Sequence, residues 1–181
     1  MEATAEYTIK KAGIEELDII LDLLKDASLW LKTKGLTQWD YYLTDMDGNL
    51  VEIIDSIRRG HTYLLFWKNE AAGSLTLEPS PNEWDCDIWG DEASEERCLY
   101  LHRLVVKRKW KGEGLGAECL NWAESFCQQN GYEKLRFDCL HSNDGLNHYY
   151  QTRYTLRETV HVHGVHNKYE KMIAKPRKSS D

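Results

Sequence analysis

The stretch Leu99–Gly116, LYLHRLVVKRKWKGEGLG, decides how this chain is read. Its apolar run Leu104-Val105-Val106 stops at a basic patch of Lys107, Arg108, Lys109 and Lys111. Glycines then stand at every second position, Gly112, Gly114 and Gly116, and a helical pattern begins at once. The order is strand, basic glycine loop, helix N-terminus. Glycine permits positive φ and lets a ligand come close to the backbone. The first N–H groups of a helix have no partner inside it and carry partial positive charge. Together these features form a site for phosphate. The spacing excludes two familiar phosphate loops. No Gly-Lys-Ser/Thr follows, and G-x-G-x-x-G is absent.

Outward toward the C-terminus, Leu115, Cys119, Trp122, Ala123 and Phe126 trace one apolar helical face. That helix stops at Asn130-Gly131. Leu135, Phe137 and Cys139 alternate with Arg136 and Asp138 as a strand. A short helix follows over Asn143–Gln151, then a hairpin of Thr155–His163 and His166–Ile173 around Gly164. The polar residues 175–181 read as a disordered tail. Outward toward the N-terminus, Glu78–Glu96, with Pro79, Pro81 and many acids, reads as a loop or lid. Residues 61–67 and 71–77 form a hairpin turning at Lys68-Asn69-Glu70. Leu50, Ile53, Ile54 and Ile57 predict a helix over about 48–58, and Ile14 through Leu31 predict a longer one. Glu6–Lys10 reads as the first strand. No repeat or linker interrupts this order, so residues 1–174 are expected to be one domain.

Lys111-Gly112-Glu113-Gly114-Leu115-Gly116 resembles motif A of the GNAT acetyltransferase superfamily, R/Q-x-x-G-x-G/A, with Lys111 in the Arg/Gln slot. Downstream, Asn143 and Tyr150 have the spacing of N-x-x-A-x-x-x-Y-E-x-x-G-F, with Leu146 and Gln151 in the Ala and Glu slots. The Gly-Phe is missing. Either Tyr154 replaces the Phe after a one-residue deletion, or the turn is remodelled. The resemblance covers nearly the whole chain. It implies an α/β (α+β) fold: a mixed, mostly antiparallel twisted sheet of about seven strands with helices on both faces.

The resemblance further implies an acetyl-CoA-dependent N-acetyltransferase that transfers the acetyl group directly to a primary amine of a small molecule or peptide. Acetyl-CoA is then a cosubstrate, and no metal is needed. The amides of Lys111, Gly112, Glu113, Gly114, Leu115 and Gly116 would hold the pyrophosphate. The backbones of Leu104, Val105 and Val106 would pair with the pantetheine arm and support the oxyanion. Asn143 would cap its helix and offer an amide to the ligand. Seven residues is two helical turns, so Tyr150 shares a face with Asn143. Tyr150 can then protonate the leaving thiolate. Tyr149 is the competing donor and a further cofactor contact. His102 has a suitable intrinsic pKa for the base, and a water relay through Asp87, Glu96 or His102 is equally open. Arg103 is read as supporting structure. A catalytically inactive CoA-binding sensor is the alternative. Proteins of this family are often homodimers.

The net charge of −7 argues against broad nucleic-acid binding. No long apolar run or signal peptide stands in the chain, so no membrane role is expected. The five cysteines, an odd number without a C-x-x-C pair, fit free thiols in a reducing, cytoplasmic setting. Cys139 with His141 is read as core rather than as a nucleophile pair. His161, His163 and His166 read as an exposed hairpin rather than as metal ligands. The acids between Glu83 and Glu96 could draw in a cationic amine, but they are more often a solvated loop.

Overall fold

In a computed structural model the described residues are 6–176. The last part of the predicted tail, residues 177–181, lies outside them. The element order is β1 (Tyr7–Lys11), α1 (Leu17–Thr33), α2 (Tyr41–Thr44), α3 (Met46–Arg58), β2 (Thr62–Trp67), β3 (Glu70–Glu78) and α4 (Glu83–Trp89). It continues with β4 (Cys98–Val106), α5 (Leu115–Gln129), β5 (Lys134–Leu140), α6 (Asp144–Gln151), β6 (Thr155–Val160) and β7 (His166–Met172). The strands hydrogen-bond in the order β1-β2-β3-β4-β5-β7-β6. The β4–β5 pair is parallel, while the β1–β2, β2–β3, β5–β7 and β6–β7 pairs are antiparallel. The expected mixed, mostly antiparallel seven-stranded sheet flanked by helices is present.

The described residues form two compact units. The first runs to Thr76 and adds His102–Leu120, and the second comprises Leu77–Leu101 and the residues from Asn121 onward. In the first unit, Ile20, Leu23 and Leu24 of α1 and Ile53 and Ile57 of α3 pack with Tyr42, Leu64 and Val105. These apolar residues recur at helical spacing, which is why both helices form where the pattern placed them. The β2–β3 hairpin turns on Lys68 and Asn69, both at positive φ, the geometry that matches strand twist in a two-residue loop. Gly73 on β3 is required by close approach: a Cβ there would stand 2.7 Å from the carbonyl oxygen of Val105.

In the second unit, Ile88 and Trp89 of α4 pack on Cys98 and Tyr100 of β4. The predicted loop or lid over Glu78–Glu96 is therefore corrected to a helix followed by a 3-10 turn, Gly90–Ser94. Its start carries a capping box, Asn82 with Asp85, which lets a Pro-flanked acidic segment begin a helix. The acids are also mostly committed. Glu92 meets Arg157 at 3.3 Å and Lys168 at 3.3 Å, and Glu95 meets Arg136 at 3.1 Å. Asp87 meets His163 at 2.7 Å. Arg136, fully buried, is also held by Glu170 at 2.8 Å and lies over the Trp89 ring. An acidic attractor for cationic amines is thus replaced by an internal charge network that clamps α4 to β5 and β7.

Candidate active site

Strand β4 carries the first half of the predicted set. It pairs with β5 over Cys98–Tyr100. Four residues after Tyr100 the run Leu104, Val105 and Val106 begins, after a kink at Arg103, whose φ is +51. His102 is half-buried on the same strand. The positive φ at Arg103 interrupts strand alternation, so a period-two argument about these two side chains does not carry across it.

A 3-10 turn, Arg108–Trp110, leads from β4 into the glycine loop. Asp26 on α1 accepts from the Arg108 amide at 3.0 Å, an anchor the sequence reading missed because it joins residues far apart in the chain. The Lys107 amide donates to Ala72 O at 2.7 Å. The Lys111 amide donates to Arg108 O and the Glu113 amide to Trp110 O, so the loop spends these two internally. Gly112 and Gly114 take φ +88 and +74, conformations that favour glycine. Gly116 lies in the first turn of α5, where an added Cβ would meet nothing within 4 Å. The amides of Leu115, Gly116 and Ala117 have no carbonyl one turn back inside the helix. The fourth amide, that of Glu118, returns to Gly114 O at 3.1 Å.

The basic patch is partly neutralised. Lys107 and Lys109 both bind Glu70, at 2.9 and 2.5 Å. The two ammonium groups, Lys109 first, hold the Glu70 carboxyl below the usual carboxylate range. The Arg108 guanidinium stacks 3.7 Å over Trp30. Lys111 forms no ion pair among the described residues. The loop therefore offers helix amides and, in Lys111, an ammonium with no ion pair among the described residues, rather than four uncommitted lysines and arginines.

The second unit carries Asn143, Tyr149 and Tyr150. Asn143 caps α6, its side chain accepting from the Leu146 amide at 3.2 Å. Asn147, missed in the sequence, organises the approach to that helix. Its amide donates to Leu140 O at 2.9 Å and its oxygen accepts from Tyr169 at 2.6 Å. Tyr150 is buried among Phe137, Tyr154 and Tyr169. Burial, then the neighbouring Cys139 and Tyr149, push its phenol well above its ordinary value. Tyr149 is on the surface at 36 % exposure.

The missing Gly-Phe is resolved locally. The amides of Arg153 and Tyr154 both return to Tyr150 O, at 3.0 and 2.8 Å, and the turn closes without a positive φ. The Tyr154 ring packs edge-on against Phe137, 4.9 Å between centroids, and its hydroxyl donates to Glu124 at 2.7 Å.

The other candidates separate clearly. Cys139 is buried, and burial pushes its thiol up to about 12. His141 turns instead to Asn167, 3.0 Å away. All five cysteines are free. His163 and His166 are tied to Asp87 and Asp138. Among the described residues no helix is long and apolar enough to cross a membrane.

A family model described as "Acetyltransferase (GNAT) family" matches residues 25–154. An uncharacterized N-acetyltransferase of Bacillus subtilis, YesJ, is 37 % identical over 140 residues, covering 77 % of this chain and 76 % of that protein. A GNAT-family acetyltransferase structure from Listeria monocytogenes superposes with a TM-score of 0.77 at 28 % identity, covering 92 % of this chain and 94 % of that one. The PaiA N-acetyltransferase of Thermoplasma acidophilum, solved with coenzyme A, shares the fold: TM-score 0.71 at 16 % identity, covering 92 % and 98 %.

Proposed function

This chain belongs to the GNAT acetyltransferase family and is an acetyl-CoA-dependent N-acetyltransferase, and from that premise we propose how its residues divide the work. The N-terminus of α5, with Gly112, Gly114 and Gly116 before and within it, receives the pyrophosphate of acetyl-CoA. The observation that carries this is the cradle itself. Two positive-φ glycines lead into a fifteen-residue helix whose first three amides have no carbonyl one turn back inside the helix. Leu115 and Gly116 supply such amides. Lys111 and Glu113, whose amides close turns, contribute through shape and, for Lys111, charge.

The main-chain groups of Leu104, Val105 and Val106 take the pantetheine arm in the manner of an added strand. Their donors also offset charge on the oxyanion as the thioester carbonyl becomes tetrahedral. The attacking amine must be neutral, and His102 is the proposed base, directly or through water. Tyr150 is proposed as the acid that protonates the leaving thiolate. Its support is the two-turn spacing from Asn143 and a buried environment that keeps the phenol protonated. Tyr149 is the exposed second contact for the cofactor on α6.

Residues 1–174 act as one catalytic domain on this reading. The acceptor is a primary amine, the setting is cytoplasmic, in keeping with five free cysteines, and a homodimer is the proposed assembly. The sensor alternative finds no support in the family match or in the relative. Titration calorimetry with coenzyme A tests the cradle, and thiol release from acetyl-CoA across a panel of amine classes tests turnover. Saturable CoA binding and release with at least one amine are expected. Absence of CoA binding overturns the cradle, and CoA binding without release on any amine restores the sensor.

A further inference from the structure

Arg103 adopts a backbone conformation that side chains with a Cβ rarely take. Its φ is +51 inside β4. Strain of this kind persists only where the surroundings over-determine it. Here the surroundings belong to α3 and β3, within the first unit. Nη2 of Arg103 donates to Ser56 Oγ on α3 at 2.9 Å and to Thr76 Oγ1 on β3 at 3.5 Å. Nη1 donates to Glu52 Oε1, also on α3, at 3.3 Å. Ser56 and Thr76 are buried, and the Arg103 side chain is only 10 % exposed. Thr76 Oγ1 is in turn 3.1 Å from Thr62 Oγ1 on β2, so the anchor reaches a third element.

The consequence falls on the three residues that follow. Leu104–Val106 lies between this anchor and the Lys107 amide, which is pinned to Ala72 O at 2.7 Å. Val105 is buried with Ile53 and Ile57 of α3, the helix that also holds the guanidinium. Both ends and the middle of the segment are therefore fixed from one side, by α3 and β3. An arginine suits this task. Its rigid fork presents five N–H donors and can engage two elements at once, which a single ammonium does less well.

Resting on the acetyl-CoA reading above, we propose that Arg103 is a positioning residue for the cosubstrate arm. Its guanidinium, tied to Ser56, Glu52 and Thr76, holds the β4 kink so that the main-chain groups of Leu104–Val106 are presented ready-made to the pantetheine. It touches no reacting atom. A glycine would adopt the same φ without strain but would leave the segment unanchored.

The test separates the arm from the diphosphate. Titration calorimetry is run with coenzyme A and with 3′-phospho-ADP, which carries the diphosphate but no pantetheine. The proteins are wild type, Arg103→Gly, Arg103→Lys and the double variant Glu52→Gln/Ser56→Ala, each with a melting curve. The double variant removes the ion pair and the Ser56 acceptor, leaving Thr76, without altering β4, and it carries the test should Arg103→Gly fail to fold. Coenzyme A affinity is expected to fall about tenfold in Arg103→Gly and in the double variant, and less in Arg103→Lys, as preorganisation is lost. Affinity for 3′-phospho-ADP is expected to stay within about twofold of wild type. Unchanged coenzyme A affinity in the folded variants overturns the inference, as does an equal loss for both ligands. A wild-type protein that binds neither ligand overturns the acetyl-CoA reading itself, a result distinct from both.

Discussion

At the scale of single residues, Gly116 offers the sharpest test of the cradle. It has ordinary helical backbone and open space around it, so a side chain there harms nothing in the fold. Gly116→Leu is expected to leave stability unchanged or raise it by up to roughly 0.5–1 kcal/mol, because glycine is a poor helix residue. Coenzyme A affinity should nevertheless fall at least about tenfold, because the side chain blocks close approach to the helix amides. A variant that melts normally and still binds coenzyme A as tightly would remove the cradle. Tyr150 makes a second prediction. Tyr150→Phe should lower kcat by on the order of a hundredfold, the usual worth of a positioned general acid. Burial raises the Tyr150 pKa above its ordinary value, so the acid form persists as pH rises. The kcat profile should therefore show no loss from this group up to about pH 10. Full turnover in Tyr150→Phe, measured by thiol release, would reassign the acid.

At the scale of elements, the β6–β7 hairpin is joined to α4 and β5 by polar side-chain contacts. His166 Nδ1 lies 3.1 Å from Asp138 Oδ2, and Trp84 Nε1 donates to the other Asp138 oxygen at 3.0 Å. His163 stacks on Trp84 and meets Asp87. Burial acts to lower the His166 pKa, but the Asp138 carboxylate outweighs it, and the net direction is upward. A histidine whose folded pKa is raised adds stability that is complete below its unfolded value of about 6.5 and disappears as pH climbs through the folded value. The melting temperature gap between wild type and His166→Gln is therefore expected to be wider at pH 6 than at pH 9. Ring titration by NMR should place the His166 midpoint above that of an ordinary histidine, and a midpoint at or below about 6.5 would refute the pairing. This element also explains why the acidic segment was misread. Charge and proline suggested a solvated lid, yet its partners Arg136, Arg157 and Lys168 lie far along the chain on β5, β6 and β7. No local pattern encodes that neutralisation.

At the scale of the whole molecule, ligand binding should register as stability. A ligand that binds only the folded state at one hundred times its Kd adds about 2.7 kcal/mol. For a chain of this length that corresponds to a melting temperature rise of roughly 5–10 °C. Acetyl-CoA should produce it, and at the same ligand concentration Gly116→Leu should cut it by about half or more while keeping its own melting point. A thermal shift that is the same in both proteins would mean that acetyl-CoA binds elsewhere.

What the sequence determined by itself was local and periodic. The strand–glycine loop–helix order, the α1 and α3 faces, the β2–β3 hairpin and the Asn143 cap all follow from residue spacing and from backbone preferences that act over a few residues. The family resemblance rested on the same local signals, and the match over residues 25–154 agrees with it. Only the tertiary structure decided which charges are spent. It joined Asp26 to the Arg108 amide, Glu70 to two lysines, Arg136 to Glu170 and the strained Arg103 to Ser56 and Thr76. These are pairings between residues tens of positions apart, set by how strands and helices stack. A chain read in order carries the donors and acceptors but not their distances.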